Sequence, residues 1–215
     1  MLTVEKFVCG PYSANAYIVT DDYTGKSILI DAPYESIRLI DALTAIKYDL
    51  SYILITHRHI DHIAGLHKAK SLTGSKVYIH KLDECGLYDA KANLAQNLRF
   101  DENKFYPERA DGVFDDEITQ LKFGTYTIKV MNTPGHTSGS VCYFIDDLLF
   151  SGDTLFKGSI GRTDFPTGNE KNMMDSLRQL YLIEDNYKLY PGHGEESTLD
   201  HEKFNNPYMQ KALIL

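Results

Sequence analysis

The sequence predicts an α/β fold in which two β-sheets pack together with helices on their outer faces. Each half of the 215-residue chain contains short apolar segments typical of strands, followed by a segment with helical periodicity. The hydrophobic fraction of 43% is sufficient for a substantial core, and the length fits a single domain over residues 1–215. Clusters of polar residues follow the ends of several predicted strands, which locates a functional site at one edge of the sheets.

The first half of the chain alternates between predicted strands and helices. The predicted strands are Thr3–Val8, Ala14–Thr20, Ser27–Asp31, Tyr52–Ile55 and Lys76–Ile79. Apolar residues at a helical period predict helices from Glu35 to Lys47 and from Ile63 to Leu72, and a further helix is expected from Lys81. Residues Asn93 to Gly112 lack clear periodicity and are predicted to form a long loop that could act as a lid.

The second half of the chain is richer in predicted strands. These are Ile118–Phe123, Tyr126–Met131, Val141–Ile145, Leu148–Phe150 and Lys188–Tyr190. The segment from Glu170 to Leu182 carries its apolar residues on one side and is predicted to be a helix. Together the two halves account for the two predicted layers of sheet and the helices that cover them.

The most informative segment runs from Thr56 to His62 and follows the strand Tyr52–Ile55 directly. His57, His59 and Asp61 alternate in sequence, so an extended backbone would point all three side chains to one side, and His62 stands next to them. Imidazole and carboxylate groups are the ligands that Zn²⁺, Fe and Mn accept in proteins. A polar surface loop is the competing interpretation, but imidazoles clustered this closely repel one another when protonated.

Three further polar clusters occur where predicted strands end. They contain His136 in Thr-Pro-Gly-His-Thr, Asp153 in Ser-Gly-Asp-Thr and His193 in Pro-Gly-His-Gly. Each cluster alone is typical of a turn, because glycine and short polar residues favour turns. Their shared position at strand ends indicates that they join the first segment in one site.

Composition excludes several classes of function. A net charge of −8 without a basic stretch argues against nucleic-acid binding. The sequence shows neither a signal peptide nor an apolar run long enough to span a membrane, so we expect a soluble, cytoplasmic protein. Cys9, Cys85 and Cys142 are widely spaced and predict inert, buried thiols.

At these residues the chain resembles the metallo-β-lactamase superfamily, and within it the hydroxyacylglutathione hydrolases (glyoxalase II) and their shorter bacterial relatives. The resemblance covers nearly the whole chain, from Asn15 and the Leu29-Ile30-Asp31 segment to the Pro-Gly-His-Gly around His193. It implies an αββα sandwich with two mixed β-sheets flanked by helices. It also implies a small-molecule thioester substrate, and it leaves open whether the chain forms a homo-oligomer.

The resemblance further implies two divalent metal ions, with Zn expected first and Fe or Mn as alternatives. His57, His59 and His136 would bind one ion, and Asp61, His62 and His193 the other, with Asp153 bridging both. Asp61 and Asp153 are thus the predicted catalytic carboxylates, and Asp31 would orient a ligating histidine. A hydroxide shared by two such ions attacks a carbonyl at neutral pH, and a thiolate leaves without help from an acid, which favours thioester hydrolysis.

The segment from Gly152 to Phe165 resembles the part of glyoxalase II that contacts the thiol cofactor. That family has a lysine and, two residues later, a tyrosine, whereas this chain has Arg162 and Asp164. Arg162 and Lys157 are the predicted substrate contacts, with a structural pairing of Arg162 and Asp164 as the alternative. The 22 residues after His193 are expected to form a short turn with only Lys203 and Lys211 as cations, which predicts poor discrimination for glutathione.

Three other functions remain open at this point. Persulfide dioxygenases resemble this chain and would use one iron held by His57, His136 and Asp153. A lactonase would use the same metals with a different pocket. A non-catalytic binding module would be expected to have lost metal ligands, and the sequence keeps all seven.

Overall fold

The computed structural model of the protein describes residues 1–34, 36–46, 49–96, 105–115 and 119–214. Two β-sheets pack face to face, and helices cover their outer faces. This arrangement confirms the predicted α/β sandwich.

The first sheet is built from the N-terminal half of the chain. Its strands are β1 Leu2–Cys9, β2 Ala14–Asp21, β3 Ser27–Ile30, β4 Leu50–Leu54, β5 Lys76–His80 and β6 Gly112–Phe114. They lie side by side in chain order, antiparallel from β1 to β3 and parallel from β3 to β6. Helix α1, Ile37–Ile46, connects β3 to β4, and helices α2, Ile60–Ile63, and α3, Leu66–Thr73, connect β4 to β5.

The second sheet is built from the C-terminal half. Its strands are β7 Gln120–Phe123, β8 Tyr126–Asn132, β9 Val141–Ile145, β10 Leu148–Gly152, β13 Lys188–Pro191 and β14 Ser197–Thr198, and the separate hairpin consists of β11 Leu155–Phe156 and β12 Ser159–Ile160. The order is β14-β13-β10-β9-β8-β7. β13 is parallel to β10, and the other neighbours are antiparallel. Helix α4, Glu170–Tyr181, precedes β13, while α5, Leu199–Asn205, and α6, Pro207–Ala212, follow β14.

Three apolar layers hold these elements together. The inner faces of the sheets meet in a layer that includes Tyr17, Ile30, Tyr143 and Phe150, all fully buried. The outer face of the first sheet packs on α1 and α3, and that of the second sheet packs on α4, α5 and α6. Central strands such as β9 and β10 are therefore buried on both faces, which explains why they are apolar without alternation.

Two helix predictions in the first half were wrong in detail. The helix expected from Ile63 to Leu72 is interrupted, because α2 ends at Ile63 and α3 begins at Leu66. Gly65 lies in the break, and a Cβ there would overlap the carbonyl oxygen of Pro33. The helix expected from Lys81 is replaced by turns and a short 3₁₀ helix, Glu84–Leu87, because the buried Asp83 side chain binds backbone N–H groups of other segments.

The turn expected after His193 was also wrong, because α5 and α6 form there. Their N-termini are capped by the side chains of Thr198 and Asn206, a signal that the sequence carries. Asn206 Nδ2 donates to the carbonyl oxygens of Phe156 and Ser159, at 3.2 and 3.0 Å, and Glu202 accepts from Gly158 N–H at 2.7 Å. The two helices thus fix the β11–β12 hairpin beside the site.

The predicted lid falls partly outside the described residues, which exclude 97–104. Its described N-terminal part packs under α2, where Asn93 accepts from Ile60 N–H at 2.9 Å. Cys9 and Cys142 are buried, as expected, whereas Cys85 is only partly buried. Within the described ranges, every helix is too short or too polar to traverse a lipid bilayer.

Candidate metal centre

The first histidines of the site lie between strand β4 and helix α2, and the non-helical segment is shorter than the sequence suggested. His59 is the last extended residue, with φ −67° and ψ 145°, and α2 begins at Ile60. Asp61 and His62 therefore project from the first turn of a helix rather than from a strand. The turn nevertheless returns both side chains to the side occupied by His57 and His59.

The remaining predicted ligands come from loops that follow strands of the second sheet. His136 follows β8, Asp153 follows β10 and His193 follows β13. These strands run in the same direction, because β13 is parallel to β10 and β8 is separated from β10 by the antiparallel β9. The carboxyl ends of β8, β10 and β13 therefore lie at one edge of the second sheet. There they face the carboxyl end of β4 in the first sheet.

The structure brings all seven predicted ligands together in three overlapping groups. Within each group the candidate ligand atoms lie within 4.8 Å of one another. The groups are His57, His59 and His136; His57, His62 and Asp153; and Asp61, His62 and His193. The first and third groups have the composition that the resemblance implies for two metal ions.

Asp153 lies between the two halves of this cluster. Its Oδ1 is 3.4 Å from His62 Nε2, and its Oδ2 is 3.4 Å from His136 Nε2 and 3.6 Å from His193 Nε2. On the far side, Asp61 Oδ2 is 3.4 Å from His193 Nε2. One carboxylate thus faces imidazoles of both groups, as a bridging ligand would.

The outer nitrogens of four imidazoles are held by hydrogen bonds that leave Nε2 facing the cluster. His62 Nδ1 donates to Asp31 Oδ2 at 2.8 Å, His136 Nδ1 to the carbonyl oxygen of Arg162 at 2.7 Å, and His193 Nδ1 to that of Tyr12 at 3.1 Å. His57 Nδ1 lies 3.1 Å from Thr56 Oγ1. Such bonds fix the ring orientation and put the lone pair of each neutral ring on Nε2, where a metal can use it.

Asp31 is the residue that joins these contacts to the sheets. Its Oδ1 accepts from Thr56 N–H, and its Oδ2 accepts from Thr56 Oγ1 as well as from His62, each at 2.8 Å. The residue adopts a left-handed backbone with φ +56°, which Asp and Asn tolerate better than most residues.

The charges around the cluster favour a cation. Burial and neighbouring histidines hold the pKa values of His57 and His59 well below their usual range, so these rings are neutral. At His62 burial acts in the same direction, but Asp153 and Asp31 outweigh it and raise the pKa to about 10. The negative charges of Asp153 and Asp31 that stabilise a proton on His62 would also stabilise a metal ion at the same place.

The donor set fits a metal by a second test. His57 Nε2 and Asp153 Oδ1 are buried and have no hydrogen-bond partner among the described residues. A buried imidazole nitrogen and carboxylate oxygen without partners are costly unless something binds them. Five imidazoles and two carboxylates form a donor set that Zn, Fe or Mn ions accept, so the cluster fits a metal centre.

One residue that positions the site could not be recognised from the sequence. Asp83 is buried and accepts from Arg58 N–H at 3.1 Å, Thr137 Oγ1 at 2.6 Å and Gly139 N–H at 3.1 Å. Burial raises its pKa, while the bonds from Thr137 and Arg58 offset part of that rise. The carboxyl ties the His57–His59 segment to the loop of His136, yet in the sequence it is an ordinary Asp in a turn.

The cluster opens into a cavity of about 310 Å³, a size suited to a small molecule. Five of its lining residues are not predicted metal ligands: Tyr12, Phe156, Gly161, Arg162 and Phe165. Lys157, the other predicted substrate contact, is not among the described residues that line the cavity. Its Nζ lies 2.6 Å from Glu195 Oε2 at the surface.

The backbone of the His193 loop approaches Asp153 so closely that only glycine fits at position 192. A Cβ on Gly192 would overlap Asp153 Oδ1 and crowd His62 Cε1. We therefore expect Gly192→Ala to lower metal affinity by at least about tenfold, with a fall in melting temperature of only a few degrees. Gly74→Ala at the end of α3 is the control, because nothing lies near its Cβ position and the substitution adds only the strain of a left-handed backbone, φ +67°; equal losses of metal in both variants would contradict the assigned geometry.

Comparison with known proteins agrees with the fold and with the cluster of candidate metal ligands, which together define a metal-binding protein of the α/β sandwich class. The family model described as "Metallo-beta-lactamase superfamily" matches residues 9–193. The chain belongs to the metallo-beta-lactamase superfamily.

Similar proteins carry several different names. Hydroxyacylglutathione hydrolase GloC of Haemophilus influenzae is 29% identical, over 97% of this chain and 98% of its own. The crystal structure of BLEG-1 B3 metallo-beta-lactamase has a TM-score of 0.87 at 29% identity and covers 96% of this chain and 99% of its own. The crystal structure of TTHA1623 in a di-iron-bound form has a TM-score of 0.80 at 31% identity and covers 95% and 100%.

Proposed function

We propose that the protein is a two-metal hydrolase that cleaves hydroxyacyl thioesters. The observation that carries the proposal is the position of Asp153, which directs one oxygen to His62 and the other to His136 and His193. A carboxylate with this geometry is suited to two ions, for which the seven side chains supply the ligands. Zinc is the metal that we expect first, and the di-iron form of TTHA1623 makes iron the alternative.

The chain's own groups divide the chemistry in the following way. Bound divalent ions would supply a nucleophile derived from water at neutral pH and polarise the carbonyl under attack. The Nδ1 bonds of His62, His136 and His193 orient these imidazoles so that their Nε2 atoms would hold the ions. The aromatic side chains of Phe156 and Phe165 line the cavity beside them and would exclude water from the bound substrate.

The groups available to assist a leaving group favour a thioester over an amide as the substrate. Among the described residues that line the cavity, every imidazole and carboxylate belongs to the predicted metal set. If these imidazoles and carboxylates bind metal, none of them is free to protonate the amine that an amide would release. A thiolate, with a conjugate acid of pKa ~8.5, departs without one. The similarity to a hydroxyacylglutathione hydrolase supports the same substrate class.

The proposal is tested by measuring metal content and thioester hydrolysis on the same preparation. We expect two metal ions per chain, hydrolysis of S-lactoylglutathione, loss of activity with a chelator, and recovery with Zn, Mn or Fe. One iron per chain with oxygen uptake on a persulfide would instead identify a dioxygenase. Hydrolysis of a β-lactam or a lactone without hydrolysis of thioesters would also overturn the proposal.

A further inference from the structure

Beyond the metal ligands, the cavity is bounded mainly by aromatic rings. The Phe156 ring lies 6.1 Å from the His193 ring, and the Phe165 ring lies 5.6 Å from the His59 ring, measured between centroids. Together with Tyr12, these rings flank the cluster on both sides. Such walls favour an apolar portion of a substrate.

Arg162 is the only cation that lines this cavity in the described part of the chain, and it is already paired. Its Nε and Nη2 donate to the two carboxylate oxygens of Asp164, each at 2.6 Å. The guanidinium carbon also lies 3.9 Å from the centroid of the Phe165 ring. The two contacts neutralise the charge and fix its position against the aromatic wall.

The main chain and the side chain of Arg162 have separate tasks. The carbonyl oxygen accepts from His136 Nδ1 and so orients a predicted metal ligand. The side chain forms part of the cavity wall, with 57% of its surface exposed. A substitution that changes only the charge of this pair therefore leaves the contact with His136 in place.

Other nearby cations are engaged away from the cavity. Lys157 pairs with Glu195, and Lys6 Nζ donates to the carbonyl oxygen of Gly194 at 2.7 Å. In the C-terminal helices, Lys203 Nζ binds the carbonyl oxygen of Ile183 and Lys211 pairs with Glu170. A substrate with carboxylates on its thiol portion would thus meet no uncompensated side-chain cation among the described residues of the cavity wall.

We propose that Asp164 is a specificity-determining residue: by holding Arg162 over Phe165, it gives the cavity a preference for thioesters whose thiol portion is uncharged over those that carry carboxylates. This inference rests on the proposed thioesterase function. Arg162 lowers the pKa of Asp164 to about 2, so the carboxylate remains charged at every pH near neutrality. The overall charge of −8 adds no long-range attraction for an anionic thiol.

The test compares kcat/KM for the lactoyl thioesters of glutathione and of N-acetylcysteamine, a small neutral thiol. We expect the wild type to cleave the N-acetylcysteamine thioester with the higher kcat/KM, and a wild-type preference for glutathione would overturn the inference. Asp164→Asn releases Arg162, and we expect it to shift the ratio toward glutathione about three- to fivefold, through KM, because the pair is exposed to solvent. The double variant Asp164→Asn/Arg162→Gln should lose this gain.

Asp175→Asn is the matched control, since it removes the same charge from an Arg–Asp pair on α4, where Asp175 Oδ1 is 2.7 Å from Arg178 Nη1. An equal ratio in Asp164→Asn and Asp175→Asn would overturn the inference. So would a gain that persists in the double variant.

A failure of the proposed function can be recognised separately. If the metal-loaded wild type cleaves neither thioester, the thioesterase assignment is wrong, and the charge preference is then measured by calorimetry. The probes are S-butylglutathione and butyl N-acetylaminoethyl thioether, neither of which can be cleaved. Equal changes in their Kd ratio in Asp164→Asn and Asp175→Asn would remove Asp164 as a determinant of charge preference.

Discussion

Asp153→Asn is expected to abolish hydrolysis and to release metal, the largest loss of activity that we predict for a single substitution. The carboxylate faces His62 with one oxygen and His136 and His193 with the other, all within 3.6 Å. The amide of similar shape loses the negative charge and one anionic oxygen, so two cations would remain without compensation. Since breaking a buried ionic contact costs about 3–5 kcal/mol, we expect kcat to fall by at least about 100-fold.

The measurement is metal content per chain together with kcat on the thioester. Asp147→Asn is a suitable control, because Asp147 lies at the opposite end of β10 and pairs with Lys188 at the surface, at 2.9 Å. The control should keep both metal and turnover. An Asp153→Asn protein that retains two ions and the wild-type kcat would show that the bridging role is wrong.

The cluster of candidate metal ligands could be predicted from sequence because each member belongs to a short local pattern. His57 and His59 follow an apolar strand, and His136, Asp153 and His193 lie in glycine-containing turns after other strands. Strand ends that run in one direction converge at one edge, so local position was enough to group them. The error at Asp61 was harmless, because one helical turn directs that carboxylate to the same side as the strand would have.

Apart from Asp31, which the family resemblance supplied, the residues that position these side chains could not be found in this way. Asp83 contacts Arg58, Thr137 and Gly139, which are between 25 and 56 residues away in the chain. No local pattern records such contacts, and the segment that carries this carboxyl forms turns and a short 3₁₀ helix instead of the helix expected from Lys81. The sequence left the partner of Arg162 undecided for a different reason. It offered two candidates for this one cation, a carboxylate of the substrate or the side chain of Asp164.

The second large effect is expected for Asp31→Asn, which should lower metal affinity by about 10- to 100-fold. Asparagine tolerates the left-handed backbone at φ +56°, so the substitution introduces no backbone strain. Its carbonyl oxygen can still accept from Thr56 N–H, but an NH₂ group replaces Oδ2 and faces the Nδ1–H of His62 and the Thr56 hydroxyl. To avoid two opposing donors, His62 would move its proton to Nε2, where it blocks the metal.

This effect is measured by titrating the metal-free protein with Zn²⁺ in the presence of a competing chelator, with the melting temperature recorded in parallel. Asp21→Asn is the matched control, because Asp21 also accepts from threonine hydroxyls and backbone N–H groups, but at the opposite end of β2 from Asn15 and the His193 loop. Both variants lose hydrogen bonds made by a carboxylate and should melt at a lower temperature. Only Asp31→Asn should bind Zn²⁺ more weakly, because of these two carboxylates only Asp31 sets the tautomer of a candidate ligand, His62. Unchanged affinity would show that Asp31 is only a structural link between β3 and Thr56.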